Sequence, residues 1–548
     1  MPSPSEELSI GEVDYDAIVV GAGFGGVAMI HQLRQAGLRG RVFDGASGVG
    51  GVWTWNRYPG ARCDVEAYDY CYSFSDELQQ EWQWSERYPT QPELERYLNH
   101  VVERFGLADD IQLNTWVVSA VWDDAAAHWT VTTDDGKSMT ARFCVMATGC
   151  LSAPQDPGIP GLDSFEGHLL RTARWPAEAP DLAGKRIAVI GTGSSGVQVA
   201  PVLAERAGHL YMFQRTPNHS VPSQNRPADP EEERAIKAAY AERREASKHT
   251  FFGIPLSANP QATRDVSAEE RAAIYEDRWQ RGGFNFLLSF GDMILDKEAN
   301  ALAAEFIREK IRATVKDPHT AERLLPGDHP IGTKRICVDS GYYEMFNRDN
   351  VTLLDARDAP IEAVVPEGIR TPQGVVELDA IVLATGFDAF TGAMTRIDIR
   401  GRDGVALKDA WADGPVTYLG LSTVGFPNLL SIAGPGSPSV LSNMVMSCEH
   451  HAEWIAQTIL YMREHQIATI EATEEAQTDW VATVNELANA TLYREANSWY
   501  TGTNVPGKAH VFMAYTGGVG TYLSLCEEVV AEGYRGFALG AAPAAVPG

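Results

Sequence analysis

Twice in this chain an apolar run stops at a Gly-x-Gly-x-x-Gly turn and passes into a segment of helical spacing. The first instance is Asp16-Ala-Ile-Val-Val20, then Gly21-Ala-Gly-Phe-Gly-Gly26, then Val27 to Leu38, with Arg41-Val-Phe-Asp44 as the next strand. The second is Arg186-Ile-Ala-Val-Ile190, Gly191-Thr-Gly-Ser-Ser-Gly196, Val197 to Arg206 and the strand Leu210-Tyr-Met-Phe213. Strand, tight turn and helix in that order define a βαβ unit. In each turn the first glycine makes the bend, and the second lets backbone approach a pyrophosphate. The third lets helix and strand pack closely. The helix N-terminus then offers free N–H groups and the positive end of its dipole to phosphate. One such turn alone is a weak signal. Two, each with a strand before and a helix after, predict an α/β chain with two Rossmann-like, doubly wound dinucleotide-binding domains. A length of 548 residues accommodates them, since one core seldom grows that large.

The two units differ where they matter chemically. Asp44 ends the second strand of the first unit, 23 positions after Gly21. A carboxylate there accepts from ribose hydroxyls and repels a 2′-phosphate, which suits FAD or NAD. The matching place in the second unit is Gln214-Arg215-Thr216-Pro217, where a guanidinium and a hydroxyl suit the 2′-phosphate of NADPH. A flavin beside a nicotinamide implies hydride transfer from NADPH to FAD. Between about residues 225 and 330 charged helical stretches take over, among them Glu231 to Ser247 and Ala301 to Val315. Asp317-Pro318 is read as the stop of the latter, and Ser267-Ala-Glu-Glu270 has capping-box spacing. This region reads as a helical insertion in the second domain. The expected division is therefore 1–150 (FAD domain, first part), 151–224 (NADPH domain, first part), 225–330 (insertion), 331–385 (NADPH domain, second part) and 386–548 (FAD domain, second part). Ala147-Thr-Gly149 and Ala384-Thr-Gly386, each following an apolar strand, look like the crossings between domains.

Composition narrows the partners. The formal net charge of −28 disfavours nucleic acid and anionic membranes, both of which call for a basic surface. The cysteines (Cys63, Cys71, Cys144, Cys150, Cys337, Cys448 and Cys526) are scattered and contain no Cys-x-x-Cys, so a disulfide framework, a zinc site and a dithiol centre are all unsupported. No metal site is expected. Met1 to Asp16 lacks the apolar run of a signal peptide, no stretch is long enough to span a bilayer, and Gly540 to Gly548 reads as a frayed tail. A cytoplasmic protein fits these features.

What the hydride is used for follows from what is missing and what is present. A disulfide reductase needs a cysteine pair beside its flavin, and none follows the first unit. An oxygenase needs a cation for a peroxide anion and a dry pocket. Five blocks bear on this: Gly50-Gly-Val-Trp-Thr-Trp-Asn-Arg-Tyr-Pro-Gly-Ala-Arg-Cys-Asp64; Phe165-Glu-Gly-His-Leu-Leu-Arg-Thr-Ala-Arg-Trp-Pro176; Lys334-Arg335 with Tyr342-Tyr343-Glu344; Gly425-Phe-Pro-Asn428 leading to Gly434-Pro-Gly-Ser-Pro438; and Ser498-Trp-Tyr-Thr-Gly-Thr-Asn-Val-Pro-Gly-Lys508. With these, the chain from about Asp16 to Phe537 resembles a type I Baeyer–Villiger monooxygenase, most closely the phenylacetone and steroid monooxygenase branch. Ser439-Val-Leu-Ser-Asn-Met444 is similar to the short active-site insertion found there.

The resemblance implies a peroxyflavin anion attacking a ketone to give an ester or lactone, in a protein that is a monomer or a loose homo-oligomer. It implies that Arg335 stabilises that anion and the adduct, that Asp64 positions Arg335, and that Lys334 assists Arg215 and Thr216 in reading the 2′-phosphate. Trp499 would stand on the nicotinamide side. The expected cofactor contacts are Gly21, Gly23, Gly26, Asp44, Gly51, Trp53, Tyr58, Asp64, Gly191, Gly193, Ser194, Gly196, Arg215, Thr216, Lys334 and Trp499. Val65, Cys150, Val440, Leu441 and Met444 would line a pocket for a hydrophobic ketone, with O₂ as co-substrate. One departure stands out. The family fingerprint Phe-x-Gly-x-x-x-His-x-x-x-Trp-Pro has Arg171 at its histidine position, while Phe165, Gly167, Trp175 and Pro176 fit. Arginine donates but cannot accept. Arg171 either weakens coupling, shifting activity towards peroxide release, or makes an equivalent hydrogen bond. Sulfur or nitrogen oxidation and an uncoupled NADPH oxidase are therefore the alternatives to ketone oxygenation.

Overall fold

The chain forms two main sheets, one mixed and one parallel, and it crosses from one to the other and back. The structure is a computed structural model describing residues 12–541. In the first sheet Tyr15–Val20 pairs in parallel with Gly40–Phe43 on one side and with Ser138–Met146 on the other. Gly40–Phe43 continues to Ile111–Gln112, and the antiparallel ribbon Val117–Asp123 and His128–Thr133 extends the opposite flank. The chain returns to this sheet late, through Asp398–Arg400 and Leu429–Ser431, which completes eight strands. The second sheet is parallel throughout, in the order Val351–Asp355, His209–Gln214, Arg186–Ile190, Ala380–Leu383, His168–Arg171. Its four innermost residues in Ile187–Ile190 and the run Ala380–Leu383 are buried, as a parallel strand covered on both faces requires.

Several sequence expectations shift in detail. Both dinucleotide helices begin earlier than their apolar spacing indicates, at Phe24–Gln35 and Ser194–Arg206, because the last glycines of each turn already lie in the first helical turn. The stretch Glu231 to Ser247 is two helices, Pro230–Ala238 and Tyr240–Lys248, broken at Ala239. Asp317-Pro318 does more than stop a helix. Val315 caps the preceding Lys297–Thr314, whereas the Asp317 carboxylate accepts from the Thr320 N–H and Pro318 takes the first position of a new helix, Pro318–Leu324. The Ser267–Glu270 capping box is present in full. Gly540 and Ala541 are not frayed: they pair with Ile467–Ala472 in the antiparallel strand Phe537–Ala541. The rest of that tail and Met1 to Gly11 lie outside the described residues.

The helical region between the two halves of the second sheet leans on both cores. Tyr275, Phe286, Ala303 and Ile307 join the core of the second sheet, but Tyr240 and Ile254 join that of the first. Arg243 makes this second attachment specific, with Nε and Nη2 donating to both Asp69 oxygens at 2.8 and 2.7 Å. The cysteines are all free and buried. Among the described residues no helix is long and apolar enough to cross a membrane.

Candidate active site

Each Gly-rich turn is wedged against a crossing strand end. A Cβ on Gly21 (φ +109°) would lie 2.4 Å from the Ala147 carbonyl oxygen, and one on Gly191 (φ +116°) would lie 2.3 Å from that of Ala384. The third glycines repeat the pattern within the turn, since a Cβ on Gly26 or Gly196 would meet the carbonyl oxygen of Gly21 or Gly191 at 1.8 or 1.9 Å. The Ala-Thr-Gly segments at 147–149 and 384–386 are thus the walls against which the turns close. The middle glycines differ: Gly23 faces the Cα of Gly51, while Gly193 faces open space. That openness leaves backbone N–H groups free to meet a phosphate.

One cavity of about 1130 Å³ runs past both turns. Gly21, Gly23, Asp44, Gly51, Trp53, Tyr58, Asp64, Gly191, Gly193, Ser194, Arg215, Thr216, Lys334, Arg335 and Trp499 all line it, whereas Gly26 and Gly196 sit behind the turns they close. Asp44 is fixed by the N–H groups of Ala22 and Ala46, each 2.7 Å from a carboxylate oxygen. Burial raises its pKa, and those two donors and Arg174 pull the other way. Tyr58 donates to Gln198 at 2.8 Å, bridging the first half of the chain to the second dinucleotide helix, and burial pushes its phenol up to about 12. At the far end Lys334 is half-buried. Burial first, and the nearby Arg215 charge, lower its pKa against the pull of Asp328, whose carboxylate is 3.9 Å away. A lysine and an arginine close enough for one to lower the other's pKa are a receptive place for a dianion.

Arg335 stands where the two cradles meet. Nε and Nη2 donate to Asp64 at 3.0 and 2.8 Å in a two-point fork, and Nη1 donates to the Val440 carbonyl at 2.6 Å. The guanidinium also lies 4.8 Å over the Phe284 ring. Burial opposes the charge most, but Asp64, with Tyr500 and Cys63, together outweigh it and drive the guanidinium pKa up. The expected pair is therefore assembled from positions 271 residues apart. Of the expected pocket residues, Val65, Cys150, Val440 and Met444 line the cavity. Leu441 does not: it is buried behind them with Tyr493, Tyr500 and Phe512. Burial pushes the Cys150 thiol up to about 11, so it is neutral.

Some residues at the site carry no motif. Phe284 comes from the helical region, Asn218 donates to the Arg335 carbonyl at 3.3 Å, and the buried Tyr500 phenol, pushed up to about 12 by burial, lies beside the guanidinium. Tyr500 lies inside the Ser498 to Lys508 block without a role of its own there, Asn218 directly follows Gln214 to Pro217, and Phe284 had no sequence signal. Arg171 ends the His168–Arg171 strand opposite Leu383, half-buried, and is not among the cavity-lining residues.

Comparison with known proteins places this arrangement. Residues 18–253 match the family model described as pyridine nucleotide-disulphide oxidoreductase. The chain is 44% identical over 527 residues to acetone monooxygenase (methyl acetate-forming) of Gordonia sp. (strain TY-5), covering 96% of this chain and 99% of that protein. An oxidized steroid monooxygenase bound to NADP shares 52% identity at a TM-score of 0.92, covering 96% of this chain and 99% of the other. The crystal structure of OTEMO in complex with FAD and NADP shares 41% identity at a TM-score of 0.93, covering 96% and 100%. The chain belongs to the Baeyer–Villiger monooxygenase family of flavin-dependent monooxygenases.

Proposed function

We propose that this chain is an FAD- and NADPH-dependent monooxygenase that inserts one atom of O₂ beside a ketone carbonyl to give an ester or lactone. The observation that carries this reading is the Arg335 guanidinium, clamped by Asp64 and the Val440 carbonyl where two dinucleotide cradles share one cavity. The residues fit both cofactors. Gly21, Gly23, Gly51 and the half-buried Asp44 suit the ribose and pyrophosphate of FAD. The open Gly193 backbone, Ser194, Arg215, Thr216 and Lys334 suit NADPH and its 2′-phosphate. When bound, FAD reduced by NADPH supplies the activation of O₂.

The chain's own residues supply field, position and dryness. Arg335 keeps its charge at any working pH, so it steadies negative charge that develops on oxygen in front of it. Five N–H donors less the three in use leave one on Nη1 and one on Nη2, beside the Tyr500 phenol, where reacting oxygens can be met. Asp64 holds the guanidinium plane, and Phe284 covers a face of it. Val65, Val440, Met444 and the neutral Cys150 present an apolar wall that excludes water and favours a hydrophobic ketone. Tyr58 and Trp53 line the same cavity and suit further cofactor contacts, and Trp499, tilted against Phe390 at 5.9 Å, suits the nicotinamide side.

The test is NADPH consumption by FAD-loaded protein with and without phenylacetone or cyclohexanone, following ester, lactone and hydrogen peroxide together. Oxygenated product formed in step with NADPH is the expected result. NADPH lost to peroxide alone across a broad ketone panel would overturn it in favour of an uncoupled oxidase. Oxygenation of sulfides or amines but of no ketone would move the chain to sulfur or nitrogen chemistry.

A further inference from the structure

The Arg171 fingerprint strand delivers a second arginine, and that one reaches the first cradle. After His168–Arg171, the edge strand of the second sheet, a single turn Thr172–Arg174 leads to Trp175, which is buried in the second core. The Trp175 N–H donates to the Trp55 carbonyl at 3.1 Å, fixing the segment against the Val52–Trp55 turn of the first half. The Arg174 guanidinium then lies 3.7 Å over the Trp55 ring and 5.5 Å from that of Trp116. Those two indoles are themselves stacked, with centroids 6.1 Å apart and planes 24° from parallel. Trp116 lies on the backbone of Gly45, where a Cβ would come within 2.1 Å of its ring. Arg174, Trp55, Trp116, Asp44 and Gly45 line the same end of the cavity.

This guanidinium has donors to spare. Its Nη2 reaches the Ser152 carbonyl at 3.4 Å, a long bond, and its Nη1 is buried without a partner among the described residues. A half-buried cation left this poorly satisfied is costly unless an acceptor arrives. The nearest opposite charge is Asp44, whose two oxygens are already engaged by backbone N–H groups. The indole faces hold the guanidinium plane by cation–π attraction and cover one side of it.

We propose that Arg174 binds the ADP half of FAD, donating to ribose or phosphate oxygens beside Asp44, with Trp55 and Trp116 holding its plane. The assignment rests on the reading of the first cradle as the FAD site. Because Arg174 is carried by the second sheet's edge, the bound cofactor is gripped from both halves of the chain.

The test titrates the flavin-stripped full-length chain with FAD, following quenching of flavin fluorescence, with NADP⁺ saturating the second cradle. Arg174→Ala is expected to raise the FAD Kd roughly 10- to 100-fold, Arg174→Lys less, because a charge is kept but the planar fork is lost. ADP, the probe for that half alone, should weaken by a similar factor, while the Kd for NADP⁺ stays within about twofold. An unchanged FAD Kd in Arg174→Ala overturns the proposal. So does a loss for FAD with ADP unaffected, which would place the effect at the flavin or in the packing of the two halves. If Arg174→Ala does not fold, Trp116→Ala at the half-exposed outer face gives a second reading. A roughly 3- to 10-fold rise in FAD Kd supports the proposal and no change refutes it. Failure of the unaltered chain to bind FAD at all would sink the functional reading itself, a result distinguishable from either.

Discussion

At the scale of single residues the proposed chemistry rests on one charge, Arg335, held in one orientation. Arg335→Lys keeps a cation but loses the two-point fork to Asp64. Ketone oxygenation is expected to fall by at least about 100-fold, with flavin reduction by NADPH retained. Stopped-flow flavin bleaching beside product assay separates the two steps, and a parallel loss in both would contradict the assigned role. Asp64→Ala leaves the guanidinium half-buried without its anion, and a loss of roughly 2 kcal/mol in denaturant unfolding is expected. Just beyond Arg335, Asp339 is fully buried, accepts from Ser220 at 2.8 Å, and burial raises its pKa to about 6. A carboxyl whose folded pKa is raised contributes most below its unfolded value of 3.8 and loses that contribution as pH rises through about 6. The melting temperature should therefore fall relative to Asp339→Asn between about pH 4 and 7. A constant difference between the two across that window would contradict this.

Among the elements, the two Gly-rich turns look alike in sequence but differ in what their glycines permit. Gly26 has no room for a methyl group, since its Cβ would sit 1.8 Å from a carbonyl oxygen, whereas Gly193 faces open space. Gly26→Ala is expected to yield little folded, flavin-binding protein. Gly193→Ala should fold normally and weaken NADP⁺ binding roughly 10-fold, because the methyl occupies the path of a phosphate. Circular dichroism with NADP⁺ titration checks both, and equal behaviour of the two variants would remove the distinction. The turns were legible in the sequence because their geometry is local: strand, bend and helix are contiguous. Helix breaks were less so. Ala239 carries no breaker signal, and Asp317-Pro318, read as a stop, caps a new helix because proline fits the first helical turn as well as it ends a previous one. Phe284 was illegible, since contact with Arg335 depends on how the helical region packs rather than on any spacing.

At the scale of the whole molecule, the chain visits the first sheet, builds the second around the helical region and returns. The Ala-Thr-Gly crossings were readable because each is an apolar strand ending in a bend. The divided allegiance of the helical region was not, because amphipathic helices do not declare which core they face. Arg171 belongs to this scale. It ends the edge strand that passes through Arg174 to the first cradle, so the fingerprint segment spans both halves. If arginine there loosens coupling, Arg171→His should raise the ratio of oxygenated product to NADPH consumed and lower peroxide release. An unchanged ratio would show that arginine serves as well.

Arg335 is tied to the pocket through the carbonyl of Val440 and not through its side chain. A change of side chain at Val440 leaves this bond's acceptor in place, whereas a change in the length of the backbone that delivers the carbonyl does not. A laboratory seeking new substrates should therefore find that replacing residues at 440 and 444 reshapes selectivity at little cost in turnover. Removing even one residue from the same loop would withdraw a support from the guanidinium, so this loop should evolve by substitution and resist deletion.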